Sequence, residues 1–259
     1  MQACLRHIQQ IVRTKTSEQL FSVLVEVMAS YGFDRIVYGL SRTAKPEIAP
    51  ECQDLGFFTN IVDGEGKPIV DQQTMMRTPM FRWALNNRGA CSWSHAAEEL
   101  AAGRLTPEEV AAYRHRQRMG VIAGYTISFV DPALRGLAVL SLTARPGLSQ
   151  EDVDALWAAR GEEIELIADV MHLKMRGLPI PIRRRRLSRR QREALEWVAA
   201  GKTTQDIATI MGVSPAMVEK HLKLVRETLD VGTTAQAVAK AAMLNHLFAL
   251  DESHPPKEG

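Results

Sequence analysis

Between residues 187 and 245 the chain carries four separate helix-starting signatures, and nothing else in it restricts the fold so tightly. Ser188 precedes Gln191, Thr203 precedes Asp206, and Thr233 precedes Gln236. At that spacing a hydroxyl and a side chain three residues on satisfy each other's backbone N–H groups. Ser214 is followed by Pro215, an N-cap with proline at the first helical position. Gly201, Gly212 and Gly232 stand where the preceding helices have to stop. The spacing predicts four short helices. A helix over Thr203–Met211, the turn Gly212-Val213-Ser214 and a helix opening at Pro215 have the proportions of a helix-turn-helix.

The helix opening at Pro215 has two unlike faces. Val218, Leu222, Val225 and Leu229 fall at i, i+4, i+7 and i+11, while Glu219, Lys220, Lys223, Arg226 and Glu227 lie opposite. A DNA-recognition helix needs this division, with one side packed on a scaffold and the other offering long polar side chains to base edges and phosphates. An ordinary solvated amphipathic helix shows the same division. The four caps in this order, the tight turn and the basic run Arg183–Arg186 favour DNA. Charge agrees: residues 1–175 hold 18 Lys+Arg against 21 Asp+Glu, net −3, and residues 176–259 hold 14 against 9, net +5.

Upstream, Gly177, Pro179 and Pro181 break any regular helix, so 177–186 reads as a linker between a domain over 1–176 and one over 187–250. Arg183–Arg186 in this linker either adds salt-sensitive, non-specific DNA affinity or only keeps the linker soluble. Ser149 with Asp152 opens a long helix whose Val153, Leu156, Trp157, Ile164, Ile167 and Met171 share a face, ending near Met175. Thr16–Tyr31 is amphipathic and stops at Gly32. Arg35–Leu40, Ala123–Val130 and Gly136–Thr143 read as strands, the last two joined by a turn over 131–135, with helical stretches around Met75–Asn87 and Pro107–Arg118. The expected class is α+β: an N-terminal α/β/α sandwich with an antiparallel sheet, linked to an all-α, four-helix helix-turn-helix domain.

A composition of 46% hydrophobic and 24% charged residues is that of a globular chain, and no stretch approaches the ~20 apolar residues of a membrane span. The first dozen residues lack the apolar core of a signal peptide, so the expected location is the cytoplasm, away from membranes. Cys4, Cys52 and Cys91 are scattered and lack metal or disulfide spacing. There is no phosphate loop or nucleophile elbow, and His95, His115, His172 and His221 share no motif. The expectation is a non-enzyme without metal or cofactor.

The segment over 187–245 resembles the DNA-binding domain of the LuxR family. The resemblance rests on Leu187, Arg190, Glu193, Leu195, Trp197, Gly201, Lys202, Thr203, Ile207, Ala208, Val218, His221 and Leu222, with Gln191 where the family usually has glutamate. It implies a homodimer paired through a helix over Thr234–Leu247, using Ala237, Val238, Ala241, Leu244 and Leu247. Such a dimer would read an inverted repeat in double-stranded DNA with half-sites ~10 base pairs apart, and would act with RNA polymerase. Candidate DNA contacts are Lys220 and Lys223 to guanine or phosphate, Glu219 to cytosine, and Arg226. His221, Thr203 and Ser214 are candidates for phosphate, the last two being either contacts or simply caps.

Residues 16–175 are similar to the autoinducer-binding domain of the same family, through Pro79, Trp93 and the stretch Gly120-Val121-Ile122-Ala123-Gly124-Tyr125-Thr126. A phosphorylated receiver would instead need parallel βα order and an early acidic pocket. The resemblance implies a small-molecule ligand such as an N-acyl-homoserine lactone, whose amide is met by an aspartate and whose carbonyls are met by an upstream tryptophan and tyrosine. Here Thr78 stands at the aspartate position, and residues 62–71 contain neither Trp nor Tyr. An amide buried without its partner costs roughly 1–3 kcal/mol, or one to two decades of affinity. Candidate ligand contacts are Trp93, Thr78, Phe57, Phe58, Ser141 and Met76, with Met75 and Met80 either lining an acyl site or filling core. The alternative is a regulator that has lost the ligand or takes one other than a homoserine lactone.

Overall fold

A five-stranded antiparallel sheet in the order β2-β1-β5-β4-β3 organises the first of two units, Met1–Arg176, and a helical bundle forms the second, Gly177–Gly259. The computed structural model describes residues 2–41, 55–130, 136–179, 187–244 and 247.

The first unit runs α1 (Gln2–Arg13), α2 (Ser17–Ala29), β1 (Phe33–Ser41), β2 (Leu55–Thr59), α3 (Gln72–Met76), α4 (Pro79–Asn86), β3 (Gly89–Ser92), α5 (Ser94–Ala101), α6 (Pro107–Arg118), β4 (Gly124–Val130), β5 (Leu137–Ala144) and α7 (Gln150–Gly177). Strand β5, Leu-Ala-Val-Leu-Ser-Leu-Thr-Ala, is apolar on both faces and sits at the centre. Alternation along the strands sorts side chains to two faces. On one face Tyr38 and Phe129 meet α7: the Tyr38 hydroxyl lies 2.8 Å from His172 Nδ1, and Phe129 stacks on His172 with centroids 4.5 Å apart. Tyr125 stacks on Trp157 of the same helix at 3.9 Å. The other face, bearing Val37, Leu137 and Val139, packs with Met75, Phe81, Ala84 and Leu85 of α3 and α4.

The second unit contains α8 (Arg189–Ala199), α9 (Thr204–Met211), α10 (Pro215–Leu229) and α11 (Thr234–Met243). Ser188, Thr203, Ser214 and Thr233 all cap as expected, the first, second and fourth in complete capping boxes. Gly212 (φ 64°) and Asp230 (φ 55°) end α9 and α10 in the left-handed region. Ala194, Leu195, Ile207, Val218, Leu222, Val225, Leu229, Ala237 and Ala241 form one core.

Several elements differ from the sequence reading. The stretch around Met75–Asn87 is two helices, because Thr78 is extended (φ −85°, ψ 147°) ahead of Pro79 and caps α4. The fourth helix of the second unit ends at Met243 with Leu244 as its C-cap, short of Leu247. Helices α1 and α5 and strands β2 and β3 were not anticipated. The linker arginines Arg183–Arg186, the turn over 131–135 and Cys52 lie outside the described residues.

Candidate functional site

Each unit presents a candidate site. In the second unit, α10 buries Val218, Val225 and Leu229 completely and Leu222 to 4% exposure, leaving Glu219, Lys220 and Lys223 exposed. Lys220 has no hydrogen bond or ion pair among the described residues. Lys223 lies 3.8 Å from Glu227, both well exposed, a separation at which pairing is weak. Both ends of the helix are tied to its neighbours. Glu219 Oε1 accepts from the Thr204 hydroxyl at 2.9 Å, and Arg226 Nη1 donates to the Thr234 hydroxyl at 2.8 Å.

The capping hydroxyls divide by what they have left to give. Thr203 both accepts from the Asp206 N–H and donates to Asp206 Oδ2 at 2.7 Å, whereas the Ser214 hydroxyl only accepts, from the Met217 N–H at 3.3 Å. His221 is half-buried on the same helix. Sequence reasoning passed over Met217, 41% exposed in the first turn of α10, where an apolar side chain suits a thymine methyl. The outer face of α11 shows Ala235, Ala239, Ala242 and Met243. Ala237, Ala241 and Leu244, expected to pair subunits, are instead buried within the unit at 0–1% exposure.

In the first unit, the sheet face beneath α3 and α4 holds most of the candidate ligand residues. Ser141 lies midway along the central strand, between Val37 of β1 and Thr126 of β4. It is nevertheless half-exposed, and its hydroxyl makes no hydrogen bond among the described residues. Solvent reaches the middle of a five-stranded sheet only where the layer above leaves room. Phe57 points to this face and packs with Met76 and Trp83 against the Met75–Phe81 cluster. Gly39 lets Met75 pack onto the same face: a Cβ there would lie 2.8 Å from Met75 Cε. Phe58, one residue on, points to the opposite face and meets Phe21 of α2 at 5.6 Å and Tyr38 at 6.4 Å. The strand's period of two separates the phenylalanines.

Trp93 is 6% exposed, and its indole N–H donates to Thr126 Oγ1 at 2.9 Å. The Gly-x-x-x-Gly-x-Thr stretch acquires a physical meaning around it. Gly120 (φ +68°) turns the chain out of α6. A Cβ at Gly124 would run into the Leu142 carbonyl oxygen and come within 2.9 Å of Trp93 Cζ3, and Thr126 receives the indole. Thr78, at the family's aspartate position, spends its hydroxyl on the backbone, donating to the Met75 carbonyl at 2.8 Å and accepting from the Phe81 N–H at 3.2 Å. Arg116, which the sequence reading did not single out, places Cζ 3.8 Å above the Trp93 ring centroid. Cys91, half-buried across from Thr126, has its thiol pushed up to about 11 by burial and then by Glu98, which keeps it protonated.

Among the described residues no group of three or more His, Cys, Asp or Glu is placed to hold a metal, and no helix is long and apolar enough to cross a membrane.

The family model described as Autoinducer binding domain matches residues 16–175, and that described as Bacterial regulatory proteins, luxR family, matches residues 185–241. The quorum sensing-dependent transcriptional regulator RpaR of Rhodopseudomonas palustris is 35% identical over 139 residues, 52% of this chain and 54% of that protein, so the chain spans about half the length of this relative. The transcriptional activator protein AnoR of Acinetobacter nosocomialis is 24% identical over 239 residues, covering 90% of this chain and 94% of AnoR. Among solved structures, Escherichia coli SdiA is 17% identical with a TM-score of 0.48, covering 93% of this chain and 96% of that one.

Proposed function

This chain belongs to the luxR family of bacterial regulatory proteins, with an autoinducer-binding domain ahead of a luxR-type DNA-binding domain, and on that premise we propose that it is a homodimer that reads an inverted DNA repeat under the control of a small amphiphile. Its relatives are named as transcriptional regulators, two of them as quorum-sensing regulators. The observation that carries the DNA-reading proposal is the division of α10, with its aliphatic stripe sealed in the core and Lys220 and Lys223 exposed on the surface, the second only weakly paired with Glu227.

Lys220, Lys223 and Met217 supply the base and phosphate contacts of that reading, with Ser214 and His221 on flanking phosphates. Glu219 and Arg226 chiefly hold the helix in place through Thr204 and Thr234. Pairing of subunits through α11 falls to its outer alanines and Met243. RNA polymerase is the expected protein partner at the promoter.

On the ligand side, the half-exposed Ser141 in the sheet centre supports a pocket between the sheet and α3–α6, with Phe57, Met76 and Trp93 around it. An N-acyl-homoserine lactone or a related acyl compound fits such a space. Thr78 supports the reading that the ligand's amide is not met as the family pattern implies, because its hydroxyl is already committed. The deciding experiment is fluorescence anisotropy of the full chain with duplexes selected from a random pool, in a salt series, with and without acyl-homoserine lactones. Salt-dependent, sequence-selective binding that strengthens with ligand is expected. Absence of binding to every duplex removes the DNA reading, and binding unchanged by any of these lactones removes control by acyl-homoserine lactones.

A further inference from the structure

Two charges sit on the inner side of α6, and the described structure gives only one of them a counter-charge. Glu109, Tyr113 and Arg116 recur at i, i+4 and i+7, and all three are buried or half-buried although the helix as a whole is strongly polar. The Glu109 carboxylate is satisfied twice, by Arg82 Nε at 2.7 Å and by the Thr106 N–H at 2.9 Å. Arg116 is not: among the described residues no carboxylate or carbonyl accepts from its guanidinium. It lies over Trp93 beside an apolar cluster of Met80, Ala96 and Val121, flanked by Tyr113 and Met119. Burial holds it below the usual arginine range, at about 10, with only Tyr113 acting in the other direction.

A half-buried cation without a counter-ion is open to an anionic partner, and its planar fork is the best protein match for a carboxylate. Stacking on an indole fixes the plane of the guanidinium while leaving its N–H edges free to donate in pairs. The indole that supports it is the one whose N–H is held by Thr126, and Thr126 is the direct cross-strand neighbour of the open Ser141. Two side chains, Trp93 and Thr126, therefore link the unpaired cation to Ser141 at the centre of the sheet. We propose that Arg116, seated on Trp93, recognises the carboxylate of an acyl or aryl acid, so that the ligand of this domain is an anionic amphiphile instead of a neutral lactone. This rests on the reading of the first unit as a ligand-binding domain. A carboxylate suits the apolar surroundings better than a phosphate ester, since it brings a single charge that one guanidinium neutralises.

The test sets N-acyl-homoserine lactones against the ring-opened N-acyl-homoserines of the same chains, from butanoyl to tetradecanoyl. Binding to the full-length protein is read by thermal shift and calorimetric titration. The open acid of the best-fitting chain is expected to bind at least about tenfold tighter than its lactone, the scale of a charge-assisted pair. Arg116→Met is expected to abolish that preference, and Arg116→Lys to retain part of it, because lysine keeps the charge and loses the fork. A lactone that binds the wild-type protein as tightly as its acid overturns the assignment to Arg116 and leaves the pocket standing, whether or not either variant folds. If no member of either series binds, the pocket itself is wrong, and the proposal falls with it.

Discussion

Thr126 and Trp93 show the stakes at single positions. Both are buried, and among the described residues the indole N–H donates only to the threonine hydroxyl. Thr126→Val keeps the shape and removes the acceptor, so it should cost the first unit about 1–3 kcal/mol, the usual penalty for a stranded buried donor, measured by urea unfolding followed through tryptophan fluorescence. An unchanged midpoint would mean the indole finds another partner. Trp93 was legible in the sequence by its spacing from Pro79, and Gly124 and Thr126 by theirs. Arg116 was not, because on a helix as charged as Pro107–Arg118 an inward-facing arginine looks like any solvated one. Phe57 and Phe58 were taken together because the strand that holds them is five residues with no alternation to read, and only its pairing with β1 shows which phenylalanine faces which layer. Thr78 departs from the family's aspartate, and its hydroxyl serves the backbone, a use that Thr-Pro at a helix start already signals.

Helices of the second unit were the most legible elements, since each start is written in a cap of known chemistry. Thr203→Ala should cost that unit about 1 kcal/mol. The Asp206 carboxyl is held below the usual carboxylate range by the Thr203 hydroxyl and then by the Thr203 N–H. Its contribution to stability is therefore complete above about pH 4, the ordinary carboxylate value, and is lost as pH falls through the lowered, folded-state value. Asp206→Asn should flatten this acid limb in a circular-dichroism titration, and an unaltered limb would place the acid sensitivity elsewhere. On α10 the two faces give opposite outcomes. Leu222→Ala should destabilise the unit by about 2–5 kcal/mol. Lys220→Ala should leave unfolding unchanged, weaken DNA binding across sequences, and lower the salt slope by about one if the lysine meets a phosphate. A Lys220 variant that binds DNA like the wild type would remove this lysine from the interface. The elements that escaped the sequence reading are those without such marks: α1 buries only Cys4 and Ile11 among glutamines and arginines, and β3 is Gly-Ala-Cys-Ser.

At the scale of the whole molecule, the cores of the two units are separate, and the positive charge falls on the smaller one. Their stabilities should therefore respond to different ligands. A bound amphiphile at a hundredfold excess over its Kd should raise the first unit's stability by about 2.7 kcal/mol, and operator DNA should raise only the second's. Calorimetry of the full chain, with each addition made alone, checks this; one transition that moves equally with both would show that the units unfold as one. The division itself was readable from the Gly-Pro-rich break after residue 176, where helix signals stop and restart, and the layered sheet from three of its five strands. One detail of α10 bears on how such a protein is switched. The helix is braced fore and aft, by Thr204 at its second turn and Thr234 at its last, and its aliphatic keel is sealed in the bundle. A reading helix braced in this way is expected to keep its shape whatever the first unit binds, so under the proposed function control falls to its delivery: how many copies meet, at what spacing, and for how long.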